Sequence, residues 1–175
     1  MPLTPLHYPI AFITYYISKR NLSLPVLIVS SMISDIEIPF IFFITNGLID
    51  RLILHSLIGS IFLGVPLSIL LFYPLYKIFF KKLLVDPSFP VKSYKILTIS
   101  AVIGVLSHVF LDAMQHPYNP LFWPIYAGSF NSIIIFNNLV LASNFLYIVF
   151  TVMTVLVFAY CLLNRKGVIN QLFIG

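Results

Sequence analysis

Four stretches of this chain run well past the ~20 residues that a helix needs to cross a bilayer core, and they carry very few charges. They are residues 22–48, 50–80, 93–116 and 132–163. Charged residues make up only 9% of the chain and hydrophobic residues 60%. A soluble domain carries roughly 25% charged residues, so these stretches are expected to be solvated by lipid. The predicted fold class is all-α. It is a polytopic helical membrane bundle of four to six helices, some short or broken, with residues 1–175 forming one integral membrane domain. The expected location is the cell membrane, multi-pass.

Breaks and ends follow from particular residues. A first segment, from about Pro5 to Ser18, is short for a span and ends at Lys19-Arg20-Asn21. The stretch from Leu22 to Leu48 is interrupted at Ser34-Asp35-Ile36-Glu37-Ile38-Pro39. Two carboxylates and a proline there predict a broken helix. A basic loop with Lys81-Lys82 and Asp86-Pro87 separates the next two segments. Pro117 to Asn131, rich in proline and aromatics, reads as an interfacial cap. The N-terminus lacks the basic n-region and cleavage site of a signal peptide, so targeting is expected to lie in the helices. The single cysteine, Cys161, excludes an internal disulfide.

The net charge of +5 does not indicate nucleic-acid binding, because the basic residues are dispersed among apolar helices. Lys19, Arg20, Lys77, Lys81, Lys82, Lys92, Lys95, Arg165 and Lys166 alternate onto one side, which the positive-inside rule makes cytoplasmic. Arg51 alone falls on the other side. With that orientation, His7, Asp35, His55, His108, Asp112 and His116 share the outer zone, and all four histidines of the chain are among them. His55 is expected about four residues inside the third segment. His108, Asp112 and His116 are related by steps of four, one stripe on one helix. Imidazole and carboxylate are good ligands for zinc and similar divalent ions, and one or two ions are expected. Asp35, His55, His108 and Asp112 would hold the principal ion. His7 and His116 would bind a second ion or orient substrate. Asp35 or Glu37 is the candidate catalytic base, while Glu37 and Asp50 are also candidates for an outer shell around the ligands. Ser56 and Ser107 are expected to bond to backbone, and Asn137, Asn138 and Asn144 to join helices or line a cavity.

Several blocks carry a family resemblance. They are Met1-Pro2-Leu3-Thr4-Pro5-Leu6-His7, His55-Ser56-Leu57-Ile58-Gly59 with Pro66-Leu67 downstream, and Gly104 to Asp112 with His116. Together they resemble a prokaryotic integral membrane family whose members begin Met-Pro-Phe-Thr-x-x-His and which looks related to membrane-bound metal-dependent hydrolases. The hydrolase group carries His-Arg-Gly-x-Thr-His-Ser. The matching stretch here keeps Arg51, His55 and Ser56 and departs at Asp50 and Leu54. A more distant similarity is to the all-helical zinc-dependent phospholipase C and nuclease fold, whose ligand order looks like His7, Asp35, His55, His108, Asp112 and His116. The resemblance implies a metal-dependent hydrolase. The cluster's outer position favours a phosphoester or phospholipid substrate at the extracytoplasmic side. Two other readings use the same residues: ion or proton transport or metal sensing, and a non-catalytic membrane scaffold.

Overall fold

The computed structural model describes residues 7–83, 89–163 and 167–175. Residues 1–6 of the N-terminal motif, Asp86-Pro87 and Arg165-Lys166 lie outside the described residues. Every regular element described is helical, and four helical stretches are long and apolar enough to cross a membrane.

Helix α1 (Tyr8–Ile17) begins with Pro9 in its first turn, where a missing N–H costs nothing. It is shorter than a span, and it ends where Lys19 and Arg20 take left-handed φ values of 54° and 62°. The chain then turns back into α2 (Leu24–Ser30). A tight turn over Ile33–Ile36 follows, and α3 (Glu37–Ile44) completes the first spanning stretch, Leu24–Ile44. The interruption spans residues 31–36 and so overlaps only the start of the predicted Ser34–Pro39 break, because Glu37, Ile38 and Pro39 form the first turn of α3, where proline is tolerated.

Helix α4 (Leu57–Leu83) starts later than expected. Ser56 caps it, its Oγ accepting the Gly59 N–H at 2.9 Å, and residues 50–55 form a loop instead of a first helical turn. Gly59 is required there, since a Cβ would collide with the Ile53 carbonyl. Helix α5 (Tyr94–Ala113) follows, capped by Ser93. It stops short of His116, so the predicted stripe leaves the helix before its last member. The His116 N–H still bonds to the Asp112 carbonyl at 3.0 Å and keeps the two residues stacked.

The 117–131 segment is irregular, and its Leu121 carbonyl accepts the Leu57 N–H at 2.9 Å, which ties it over the start of α4. Helix α6 (Leu139–Leu163) begins seven residues later than Ser132, after left-handed Phe136 and Asn137. Asn138 does not join helices. Its Oδ1 caps α6 by accepting the N–H groups of Val140 and Leu141. A short α7 (Val168–Phe173), not foreseen from the sequence, folds back so that the Tyr8 hydroxyl donates to the Leu172 carbonyl at 2.7 Å.

In lipid, helices gain little from hydrophobic association and instead need close contact between small residues. The α2–α5 crossing supplies it. Gly104 meets the Ser30 side chain so closely that a Cβ would overlap it, Ala101 is fully buried, and the Ser23 N–H donates to Ser100 Oγ at 2.9 Å. On α6 the buried residues Ala142, Leu146, Phe150, Val157 and Cys161 fall on one face, while Val140, Leu141, Ile148, Val155 and Leu156 stay exposed to the bilayer. The packing leaves α5 running away from Lys92, so Asp112 lies ~27 Å along the helix from its basic end.

Candidate metal centre

At that far end the chain gathers all its histidines and four of its five acidic residues. The organising group is Glu37, at the start of α3. Its carboxylate accepts the N–H groups of Leu52, Ile53, Leu54 and His55 at 2.8–3.2 Å. Unsatisfied backbone donors within a membrane protein are costly, and this single side chain satisfies four of them. The loop therefore stays irregular yet buried, with Arg51, Leu54 and His55 each less than a tenth exposed. Ser34 adds a second tie by donating from Oγ to the Leu54 carbonyl at 2.9 Å.

Both central histidines are oriented through their Nδ1 atoms. His55 Nδ1 lies 2.7 Å from Glu37 Oε1, and His108 Nδ1 lies 2.7 Å from the Ser31 carbonyl oxygen. A carbonyl can only accept, so His108 donates from Nδ1, and His55 does the same toward the carboxylate. A neutral imidazole that donates from one nitrogen carries its lone pair on the other. The two Nε2 atoms face each other at 3.4 Å, and His55, held protonated by its carboxylate neighbours, would give up its Nε2 proton on binding an ion. Outer partners of this kind are what fix metal-ligating histidines.

Asp35 and Asp112 complete the group. Asp35 Oδ1 is 3.4 Å from His108 Nε2 and 3.7 Å from His55 Nε2. Asp112 Oδ2 is 3.3 Å from His55 Nε2 and 3.8 Å from His108 Nε2. All four ligand atoms fall within 4.8 Å of one another. Tetrahedral bonds of about 2.0 Å would place ligand atoms about 3.3 Å apart, so this donor set could hold a metal ion with small adjustments. Two imidazole nitrogens and two carboxylates thus converge on one point.

Asp112 is the hub. Its Oδ1 faces His7 Nε2 at 3.8 Å and His116 Nε2 at 3.6 Å, and the His7 ring lies 4.3 Å from that of His108. The structure thus brings all six residues of the predicted ligand set to one place, in an inner group of four with two flanking histidines. His7 Nδ1 is buried without a hydrogen-bond partner among the described residues.

Sequence reasoning noted Arg51 as a motif match without giving it a role, and missed the Ser31 carbonyl. Arg51 is 2% exposed, donates from Nη1 to Asp112 Oδ2 at 2.6 Å, and grips Asp50 through Nε and Nη2. Its signal was its position as the one basic residue on the outer side. Burial disfavours the charge on Arg51, but Asp50 and Asp112 more than compensate and raise its pKa. Hydrogen bonding to Arg51 likewise overcomes burial at Asp50 and lowers its carboxyl. Burial pulls His7 and His116 down to about 4. For His55, burial also works against the charge, but the bonds from Asp112, Asp35 and Glu37 win and lift it to about 10.

A family profile described as YdjM inner membrane protein matches residues 8–170, nearly the whole chain. The chain belongs to the YdjM family. Membership agrees with the four spans and gives the site a membrane setting. No curated protein and no solved structure matches the chain, so the hydrolase and phospholipase C likenesses rest on the motifs quoted above.

Proposed function

We propose that this YdjM-family protein is a membrane-embedded metal-dependent hydrolase acting on phosphoester or phospholipid substrates at the extracytoplasmic side. The observation that carries the reading is the pair of Nε2 atoms, 3.4 Å apart, each ring aimed by its own Nδ1 partner and facing two carboxylates. A proton relay or a scaffold gives no reason to aim both imidazoles at a common point; metal transport or sensing would, and the motif resemblance favours hydrolysis over it. The extracytoplasmic placement follows from the positive-inside rule, since Lys19, Arg20, Lys81, Lys82 and Lys92 lie at the opposite ends of the helices.

Asp35, His55, His108 and Asp112 would hold the principal ion, with zinc favoured by two imidazole nitrogens and two carboxylate oxygens at near-tetrahedral spacing. His7 and His116 would bind a second ion around Asp112 Oδ1 or orient the substrate. An ion bound there would supply Lewis acidity, making water a usable nucleophile near neutral pH and offsetting charge that builds on phosphoryl oxygens. The chain's own residues do the rest. Glu37 and the Ser31 carbonyl aim the two rings. Glu37 is committed to four N–H groups and His55, so we assign it positioning and not proton transfer. Asp35 is more exposed than the other three members of the inner group, and it takes the proton of the attacking water. Arg51 holds Asp112 in register.

The test is a panel of phospholipids and phosphoesters offered to purified, zinc-loaded protein. Turnover of at least one class that is lost in Asp35→Asn is expected. A panel left intact by protein with full metal content would refute the hydrolase reading.

A further inference from the structure

A cavity of about 510 Å³ adjoins the centre and shares Arg51 and His116 with it. Its walls are the Asp50-Arg51 loop, the turn after α5 and the first turns of α6. Two amides in it lack an ordinary explanation. Gln115 is 4% exposed, and neither Oε1 nor Nε2 has a hydrogen-bond partner among the described residues. A buried amide left in that state costs enough that native structures rarely tolerate it without a ligand or water. Asn144 lies on an exposed part of α6, between Val140, Leu141, Phe145 and Ile148, all of which face outward. An amide offered to hydrocarbon is likewise unfavourable unless something polar covers it.

The charges indicate what that polar group is. Arg51 is fully engaged by Asp50 and Asp112, so it has no unpaired charge to offer an anion in the cavity. The remaining polar lining residues are the two amides, Ser143, Tyr118, His116 and the Arg51-paired Asp50, which together both donate and accept. Such a lining suits hydroxyl groups, which also do both. The approach is lateral, because Val140 at the rim is 69% exposed on the bilayer side.

We propose that this cavity recognises the uncharged, hydroxyl-bearing headgroup of a membrane phospholipid, a glycerol headgroup being the simplest. Asn144 would be a hydrogen-bonding residue as it stands, and Gln115, whose amide is sealed at the cavity wall, would become one by turning that amide inward. The inference rests on the hydrolase reading for the idea that the neighbouring phosphodiester is the substrate. Headgroup recognition itself can be measured without turnover.

Native mass spectrometry of the purified protein, titrated with phosphatidylglycerol, phosphatidylethanolamine or soluble glycerol 1-phosphate, tests this directly. Phosphatidylglycerol is expected to bind about tenfold more tightly than phosphatidylethanolamine, the scale of a lost pairing to a buried amide. Gln115→Leu and Asn144→Leu should each erode that preference while metal content stays unchanged. Asn144→Leu lies on the lipid-facing surface and leaves the core intact, so it serves if Gln115→Leu folds poorly. Equal binding of the two lipids, or a preference that survives both substitutions, would overturn the proposal. Glycerol 1-phosphate binding as tightly as phosphatidylglycerol would overturn the lipid source. Metal-loaded protein that keeps the lipid preference yet leaves phosphatidylglycerol intact would sink the hydrolase reading alone.

Discussion

Glu37 shows how one side chain can decide both a loop and a ligand. Its carboxylate receives five contacts, four from backbone N–H groups and one from His55 Nδ1. Glu37→Gln places an NH₂ group among those donors, where it repels instead of accepting. Zinc affinity, measured by competition with a chelator, should fall about 10–100-fold, the usual effect of losing an outer partner. Unchanged affinity would show that the loop holds His55 without it. The histidines also predict a pH profile for the metal-free protein. His7 and His116 fall from 6.5 to about 4 on folding, so between those values the unfolded chain binds more protons. Stability is then lost as pH drops below 6.5, by up to about 1.4 kcal/mol per pH unit for each ring. His55 rises from 6.5 to about 10, so its contribution is complete below 6.5 and fades as pH climbs toward 10. Thermal midpoints in detergent should peak near pH 6.5, and a flat profile from 5 to 9 would contradict these assignments. The i, i+4 spacing of His108 and Asp112 and the cost of intramembrane carboxylates made the ligand set legible in the sequence. The Ser31 carbonyl was not, because a backbone acceptor leaves no trace in residue type.

At the level of elements, hydropathy located the spans but not their ends. Residues 50–55 are as apolar as a helix start, yet Glu37, distant in sequence, captures their N–H groups and Ser56 caps the helix behind them. The break beginning at Ser34 was readable because charge and proline interrupt an apolar run. Helix α7 was not, since its place depends on bonds from Tyr8 and Tyr76 far away in the chain. The α2–α5 crossing carries the centre, because Ser31 and His108 meet across it. Gly104→Ala would drive a methyl group into Ser30, with the Leu27 carbonyl 3.1 Å away. We expect a loss of about 1–3 kcal/mol, seen as reduced monodisperse yield and a lower thermal midpoint. Gly64→Ala, whose Cβ would meet Val105 at 3.3 Å, should be milder and serves as the control. Equal behaviour of the two variants would mean that the crossing is less tight than described.

For the whole molecule, Lys19, Arg20, Lys81, Lys82 and Lys92 lie at the end of the bundle away from the His/Asp cluster, which holds Arg51, as the alternation of charges predicts. This arrangement makes a topological prediction. In a Cys161→Ser background, a cysteine at Asn46 should label from outside intact cells and one at Lys92 only after permeabilisation. Labelling of both from the same side would remove the extracytoplasmic placement. The central claim, however, is that four side chains from three separate segments form one metal centre. Elemental analysis of the detergent-purified protein beside a His108→Ala/Asp112→Ala variant of equal folded yield tests it most directly. The account predicts at least one equivalent of zinc or another transition metal in the parent protein and a near-complete loss in the variant. No metal in either protein, even after reconstitution with zinc, would contradict it.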